Sequence, residues 1–374
     1  MIVAVNTRFL LPGKLEGFGY FTKEIMQRLT AKHPEHQFHF FFDRPFDETY
    51  IFSDNVQGHV LSPPARHPLL WKYWFDVKVS RRLKKIKADV FFSPDGQCSL
   101  TTKVPQTLAV HGLGFLHYPE SYQKSHLRYY KHYTPAFLRK AKSIVTVSEF
   151  SKADIVRQYK TAEEKISVVH NGMKEVFAPI GFNEQVTIKD KYTGGAEYFL
   201  YAGAIHPRKN LINLLKAFSV FKRRLQSSMK LVLAGRLAWK NEEFLSLLKT
   251  YKYKDDVVLT GYLEESELAK LMASAYAFVY PSLFEGFGLP VIEAMKCGVP
   301  VLTSKASSME EISKDAALLF DPQNVDEIAD ALMRIYKDEQ GRKELIEKGR
   351  GVAEQYNWEK TADAIWSTLM NTAR

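Results

Sequence analysis

Two cysteines, Cys98 and Cys297, are all that the 374 residues contain, and they have no partner spacing for a disulfide framework or a zinc site. No stretch approaches the ~18 apolar residues of a membrane span, and no tract is of low complexity. No Asp-x-Asp pair occurs anywhere. The opening Met1-Ile-Val-Ala-Val5 has no basic segment before it and no cleavage-type segment after it, so it reads as a first strand rather than a signal peptide. These absences point to a reducing, cytoplasmic compartment. What is present is the composition of a globular protein, 45% hydrophobic and 25% charged, in a chain too long for one ordinary core and suited to two domains of roughly 150–200 residues.

The net charge of +10 is unevenly placed. Residues 1–175 hold 26 Lys/Arg against 16 Asp/Glu, and residues 176–374 hold 26 of each. The excess lies in stretches such as Lys78-Val-Ser-Arg-Arg-Leu-Lys-Lys-Ile-Lys87 and Arg139-Lys-Ala-Lys142. These read either as solvated helix faces or as a surface that attracts an anionic membrane or an acidic acceptor. No nucleic-acid-binding motif accompanies the charge, so no nucleic-acid partner is expected.

Short apolar runs alternate with helical patterns along the whole chain, the mark of an α/β fold with a mostly parallel sheet. Strands are expected at Ile2–Val5, Phe38–Phe42, Val90–Ser93, Thr107–Val110, Ser143–Val147 and Ile166–Val169, with helices at Tyr20–Ala31, Lys72–Lys84, His126–Ala141 and Ser151–Tyr159. The alternation resumes with strands at Phe199–Ala202, Leu231–Ala234, Val257–Thr260, Ala277–Tyr280 and Val299–Thr303. Helices are expected there at Leu211–Leu225, Glu242–Tyr251, Glu264–Ser274, Pro290–Cys297 and Val325–Tyr336. The polar, glycine-bearing stretch Gly181–Gly195 reads as a linker. This predicts domains of 1–180 and 181–355, two doubly wound units with a ligand cleft at the carboxyl ends of their strands.

The strongest chemical signal is Glu285-Gly-Phe-Gly-Leu-Pro-Val-Ile-Glu293. It follows an apolar strand and opens a helix, with Pro290 in the first turn and Gly298 past the end. Glycines there let backbone N–H groups approach a ligand, and a helix N-terminus favours anionic or hydroxyl-rich groups. Carboxylates on either side of the turn accept hydrogen bonds from sugar or ribose hydroxyls. Arg208 and Lys209 stand between a strand and the next helix, where two cations suit a diphosphate; His206 beside them reads as a turn residue. The first-half stretch Gly13-Lys-Leu-Glu-Gly-Phe-Gly-Tyr20 is expected to be a loop between strand one and helix one, though Gly17-x-Gly19 does not complete a dinucleotide fingerprint. His111 follows a strand at its carboxyl end, where a lone His is more often a structural residue than a cleft residue.

In these segments the chain resembles the family 4 glycosyltransferases, which have the GT-B fold and retain anomeric configuration. The resemblance covers nearly the full length: Glu16-Gly-Phe-Gly-Tyr20, Val145–Ser151, Ala202-Gly-Ala-Ile-His-Pro-Arg-Lys-Asn210, Val257-Val-Leu-Thr-Gly-Tyr-Leu263, Ala277–Cys297 and Asp315–Pro322. It implies that Glu285 contacts the donor sugar and Glu293 the nucleotide ribose, and that N–H groups of Phe287, Gly288 and Leu289 meet sugar hydroxyls. Arg208 and Lys209 would neutralise the leaving diphosphate without metal or other cofactor, in keeping with the missing Asp-x-Asp. Gly17 and Gly19 would close over the donor phosphates, Tyr262 would lie at the donor, and His111 would contact the donor sugar. His117 is a weaker candidate for the acceptor side, and Ser148 and Asn171-Gly172 are expected scaffold. The chain departs from the family pattern at Glu16, where relatives place glycine, at Gly112, where they place Asp, and at Met309-Glu310 within Ser307-Ser-Met-Glu-Glu311.

The resemblance also implies that Tyr356-Asn-Trp358 opens a last helix, 356–374, completing an acceptor-side first domain. The expected activity is transfer of a hexose, with a lean to mannose, from a UDP- or GDP-linked donor to a glycan or lipid-linked acceptor in cell-surface polysaccharide synthesis. Peripheral association with the inner face of an anionic membrane accompanies it. A GT-B nucleotide-sugar epimerase or phosphorylase is one alternative; a non-enzymatic basic protein binding lipid or nucleic acid is the other, and it leaves the Glu285/Glu293 string unexplained.

Overall fold

Runs such as Phe40-Phe-Phe42 and Val90-Phe-Phe92 carry apolar side chains on both sides of the chain, which suits strands covered on both faces. The computed structural model describes every residue except Lys14, Glu16 and Trp239. Two units are present: Met1–Gly172 with Asn357–Arg374, and Met173–Tyr356. The strands of the first are Ile2–Asn6 (β1), Gln37–Phe42 (β2), Val56–Val60 (β3), Val90–Ser93 (β4), Gln106–Val110 (β5), Ser143–Thr146 (β6) and Ile166–Val168 (β7). They form a parallel sheet in the order β3-β2-β1-β4-β5-β6-β7. Successive residues point to opposite faces. Ala4, Phe41, Phe91, Leu108 and Ile144 therefore enter one apolar cluster, and Val3, Val5, Phe40, Phe92, Ala109 and Val145 enter another.

The C-terminal helix, Trp358–Ala373, covers the second of these faces. Its buried Trp358, Ala362, Ile365 and Leu369 recur at helical spacing. Arg28 and Lys32 on the helix Gly17–Lys32 bind its Glu359 at 2.7 and 2.8 Å. A Cβ at Gly172 would stand 2.3 Å from the Trp358 nitrogen, so a glycine lets the two segments touch.

The second unit holds Tyr198–Ala202 (β8), Lys230–Ala234 (β9), Val257–Gly261 (β10), Ala277–Tyr280 (β11), Val301–Ser304 (β12) and Ala317–Phe320 (β13), in the order β10-β9-β8-β11-β12-β13. In each sheet the strand order reverses once, between β1 and β4 and between β8 and β11. Such switch points open a crevice beyond the carboxyl ends of the strands.

Several sequence-based expectations need correction. The units meet at Gly172/Met173 and Tyr356/Asn357 rather than at 180/181 and 355/356. Lys174 pairs with Glu265, and its carbonyl accepts from Lys296 Nζ at 3.1 Å, which fixes this segment in the second unit. The expected linker is instead a helix, Phe182–Thr193, with Gly181 before it and Gly194 in the left-handed conformation after it. Its glycines are helix punctuation, and Lys191 and Tyr192 dock it onto Glu267 at 2.5 and 2.7 Å. Lys72–Lys84 is not one regular helix: a π-helical segment, Trp74–Val79, interrupts it. Two strands were unforeseen. β3 (Val-Gln-Gly-His-Val) is a polar edge strand whose Gly58 lies under the Phe46 ring, and β13 is too short to show alternation.

Candidate active site

At the second switch point β8 ends at Ala202, and the chain turns through Gly203 into a single 3-10 turn, Pro207–Lys209. Asn210, in the left-handed conformation, begins the helix Leu211–Leu225 and donates from Nδ2 to Pro322 O at 2.6 Å. Gly235, after β9, has φ 149°, and a Cβ there would stand 2.0 Å from Gly203 O; only glycine suits that position. On the other side of the reversal, β11 leads into the loop 281–288 and then the helix Leu289–Lys296. Gly288 has φ 112°, and a Cβ on it would meet Met309 Cε at 2.3 Å.

Hydroxyls brace this loop. Glu285 N donates to Ser307 Oγ at 2.9 Å, and Ser308 Oγ donates to the carbonyls of Glu285 and Phe287 at 3.0 and 2.8 Å. Ser304 Oγ donates to Ser282 O at 2.7 Å, and Leu283 N to Arg208 O at 2.9 Å. The Ser307-Ser308 pair, in sequence only a family likeness, is thus the support of the loop that carries Glu285.

The loop brings Glu285 onto the two cations. Lys209 Nζ lies 2.5 Å from Glu285 Oε1, and Arg208 NH1 lies 3.2 Å from the same oxygen. Ser282 Oγ donates to it at 2.5 Å. Lys209 Nζ also donates to the Tyr280 hydroxyl at 2.5 Å, and Arg208 to Phe284 O. Burial pushes the Glu285 carboxyl up, but Lys209 and Arg208 outweigh it and hold the group down at about 2. Burial pulls the Lys209 ammonium below its ordinary value, and Glu285 opposes this. Burial, then Arg208 and Lys209, pull His206 down to about 4. The result is a desolvated group of two cations and one carboxylate with a net positive charge at the start of a helix.

Glu293 stands in the second turn of the helix Leu289–Lys296, only 8% exposed. Burial pushes its carboxyl up to about 7, Lys174 opposing and Glu265 adding to the rise. Among the described residues its carboxylate has no hydrogen-bond partner. Phe287 is buried, with its ring 5.6 Å from that of Tyr356, and Leu289 is half-buried. Tyr262 follows β10 and is 71% exposed. Its neighbour Gly261 accepts from Gly235 N at 2.9 Å, which places Tyr262 on the same sheet edge. The structure thus unites Arg208, Lys209 and Glu285, sets Glu293 on the adjoining helix, and leaves Tyr262 exposed at the end of β10.

In the first unit His111 follows β5 and donates from Nε2 to Pro94 O at 2.9 Å. Phe18 and Phe21 pack on its ring at 5.0 and 4.7 Å between centroids. Burial pulls it down to about 4, so the ring is neutral at pH 7 and its Nδ1 is an acceptor. Gly17 and Gly19 are not in a loop but in the first turn of the helix Gly17–Lys32. A Cβ on Gly19 would stand 2.4 Å from Phe9 O, so that glycine serves packing within the chain, whereas nothing lies within 4 Å of the Cβ position of Gly17. Glu16, the departure noted in sequence, lies outside the described residues. His117 is bound to Asp154 at 2.7 Å, and Ser148 caps the helix Glu149–Tyr159. Sequence reading missed Tyr280, Ser282, Ser307 and Ser308, and in this unit Asn6, Arg8 and Asp95. No spacing marks any of them in the sequence, because their partners lie far along the chain.

Comparison with known proteins gives consistent findings. A family model described as "Glycosyl transferases group 1" matches residues 185–352, and one described as "Glycosyltransferase Family 4" matches residues 16–175. The O-antigen chain mannosyltransferase B of Escherichia coli is 28% identical over 357 residues, spanning 92% of this chain and 93% of that protein. Among solved structures, sucrose-phosphate synthase from Thermosynechococcus elongatus superposes with a TM-score of 0.80 at 19% identity, covering 99% of this chain and 98% of its own. Anabaena HepE, in complex with UDP and glucose, gives a TM-score of 0.76 at 16% identity and covers 99% of each chain.

Proposed function

From the premise that the chain is a GT-B glycosyltransferase of the family 4 type, a hexosyltransferase, we propose that it moves mannose with retention from a nucleotide-diphosphate sugar to a glycan or lipid-linked acceptor in O-antigen-type polysaccharide synthesis. The observation that carries this reading is the Arg208–Lys209–Glu285 group at a switch point. The diphosphate takes the two cations, whose charge answers that of the leaving group. Glu285 Oε1 is occupied by these cations, so the other carboxylate oxygen accepts from a donor-sugar hydroxyl. N–H groups of Phe287, Gly288 and Leu289 at the helix start donate to the sugar. Glu293 accepts both ribose hydroxyls, which supplies the partners its buried carboxylate lacks. In the first unit, taken by itself, neutral His111 offers Nδ1 as an acceptor for a sugar hydroxyl. In a front-face displacement the acceptor hydroxyl attacks the anomeric carbon as the bond to the diphosphate oxygen breaks, and that oxygen takes the acceptor's proton.

The relatives point to different donors: a mannosyltransferase name supports mannose, and a complex with UDP and glucose supports a UDP-linked donor. A melting-temperature panel of UDP, GDP and their sugars separates them, because a ligand bound only to the folded state stabilises it. One nucleotide series is expected to raise the melting temperature, and to do so in excess EDTA, since side chains already neutralise the diphosphate. No shift with any nucleotide would overturn the reading. A shift requiring magnesium or manganese would overturn its metal-free part.

The first unit, at +10 (27 Lys/Arg against 17 Asp/Glu in Met1–Gly172 and Asn357–Arg374), carries all the excess charge. On the helix Ser80–Ile86 and just past it, Arg81, Lys84, Lys85 and Lys87 are exposed while Arg82 is half-buried. No helix among the described residues is long and apolar enough to cross a membrane. This supports a cytoplasmic enzyme held peripherally at an anionic membrane, with a range set by screening of about 8–10 Å. Vesicle sedimentation is expected to depend on anionic lipid and to fall when residues 81–87 are charge-reversed. Equal partitioning of the two proteins would leave the charge as solvation alone.

A further inference from the structure

The first unit repeats, at its own switch point, the design seen in the second. Arg8 follows β1 and Asp95 follows β4, on either side of the reversal, as Arg208 and Lys209 follow β8 and Glu285 follows β11. Arg8 Nε donates to Asp95 Oδ2 at 2.7 Å, and Asn6 Nδ2 donates to the same oxygen at 2.9 Å. Gln97 N and Ser93 Oγ donate to Oδ1 at 3.2 and 3.3 Å. The carboxylate is thus fully engaged. The arginine is not.

Arg8 is 4% exposed, yet its NH1 and NH2 have no hydrogen-bond partner among the described residues. The same holds for Thr7 Oγ1, Gln97 Oε1 and the Tyr129 hydroxyl. Leaving buried donors unmet is costly, and a group left so in a folded protein calls for an explanation such as a bound partner. Aromatic rings surround the guanidinium: Phe9, Trp71 and Phe75 lie 4.9, 5.5 and 5.3 Å from its Cζ, and Tyr129 packs on Trp71 at 5.1 Å. From Arg8 a line of rings leads to His111. Phe9 lies 5.5 Å from Phe18, and Phe18 lies 5.0 Å from His111. Phe9 is half-buried and Phe18 is 37% exposed, so this side is where the group can be reached.

We infer that Arg8, with Tyr129, forms the subsite for the acceptor's terminal sugar, a neutral pyranose that presents adjacent hydroxyls. Asp95 already cancels the charge of Arg8, which disfavours an anion. The unmet groups of Arg8 and Tyr129 are the donors of the guanidinium fork and a hydroxyl that serves as donor or acceptor, a mixture that a polyol matches. Aromatic faces suit the C–H face of a sugar ring. The sugar reaches the fork by displacing the Phe9 ring. This inference rests on the transferase reading.

The test measures sugar binding without turnover. Saturation-transfer NMR would be run with methyl glycosides of mannose, glucose, galactose and N-acetylglucosamine, on protein saturated with UDP and GDP to fill the second unit. At least one glycoside is expected to bind. Arg8→Lys keeps the charge beside Asp95 but loses the fork, and should weaken that binding about ten-fold; Tyr129→Phe should weaken it several-fold. Should Arg8→Lys fail to fold, Tyr129→Phe at unchanged melting temperature carries the test. Binding equal to wild type in the folded variants, no glycoside bound by wild type, or displacement of the sugar by inorganic phosphate would each overturn the inference. Failure of the transferase reading shows separately, as absence of any nucleotide-induced stabilisation.

Discussion

Lys209→Ala is expected to lower the turnover number about a thousand-fold, the upper range for removing one group that stabilises developing charge. The structure gives three reasons for so large an effect. Lys209 is 7% exposed, so its charge acts in a desolvated place. It supplies the margin by which cations outnumber carboxylates: without it, Arg208 and Glu285 remain as a neutral pair at 3.2 Å. It also holds the Tyr280 hydroxyl and Glu285 Oε1 at once, so its loss frees the carboxylate to repel an incoming diphosphate. Affinity for the free nucleoside diphosphate should fall by about 1.5–3 kcal/mol, the range for a charged hydrogen bond. Lys209→Arg should not restore activity, because the site is fitted to a compact ammonium between a phenol and a carboxylate. Steady-state kinetics and calorimetry read these effects. Nucleotide affinity unchanged in Arg208→Ala, Lys209→Ala and the double variant would remove the diphosphate from this group.

How much of this was legible in sequence depended on whether the burial was local. β2, β4 and β11 were readable because strands buried on both faces are mostly apolar, with only His39 and Ser93 as exceptions within the expected ranges. The helix Leu211–Leu225 was readable because its apolar face repeats over four turns. Glu285 and Glu293 stood out since a strand, a glycine turn and a proline-led helix lie in one continuous segment. Long-range pairings were not legible. Tyr280 reads as the last apolar residue of a strand until its hydroxyl is seen on Lys209. Ser307 and Ser308 stand in sequence only as part of a family likeness until they are found bracing groups 22 and 21 residues away. Arg8 and Asp95 are 87 residues apart, and only the strand order makes them neighbours. The stretch 181–195 misled because glycines at both ends of a short polar helix resemble those of a linker. Gly17 and Gly19 mislead for the related reason that glycine suggests a loop, where Gly19 instead lets a helix approach Phe9.

Glu285→Gln and Glu293→Gln should part company, because one carboxylate is held by cations and the other has no partner. Glu285 stays ionised to about pH 2, so its effect in neutral solution comes from charge. Glutamine leaves Lys209 and Arg208 without their counter-charge, a loss of about 3–5 kcal/mol for a broken buried pair. Glu285 contributes stability present above its unfolded value near 4.5 and lost as pH falls toward 2, and the variant lacks it. Turnover should drop by about two to three orders of magnitude, yet nucleoside diphosphate should still bind, and should raise the melting temperature more than in wild type by relieving the two cations. Glu293 behaves oppositely. Its folded value near 7 lies above the unfolded one, so the fold binds that proton more tightly and loses stability as pH rises between them, by roughly 3 kcal/mol at most. Glutamine removes this penalty, and Glu293→Gln should melt higher than wild type at about pH 8 and no higher at about pH 4. Ribose hydroxyls donate to the ionised carboxylate, so nucleotide affinity of the wild type should rise from about pH 6 to about pH 8, and that rise should vanish in Glu293→Gln. Calorimetry across this pH range, paired with thermal melts, decides the matter. The same pH profile in both variants, or free-nucleotide binding lost only in Glu285→Gln, would show that the two carboxylates do not divide sugar and ribose between them.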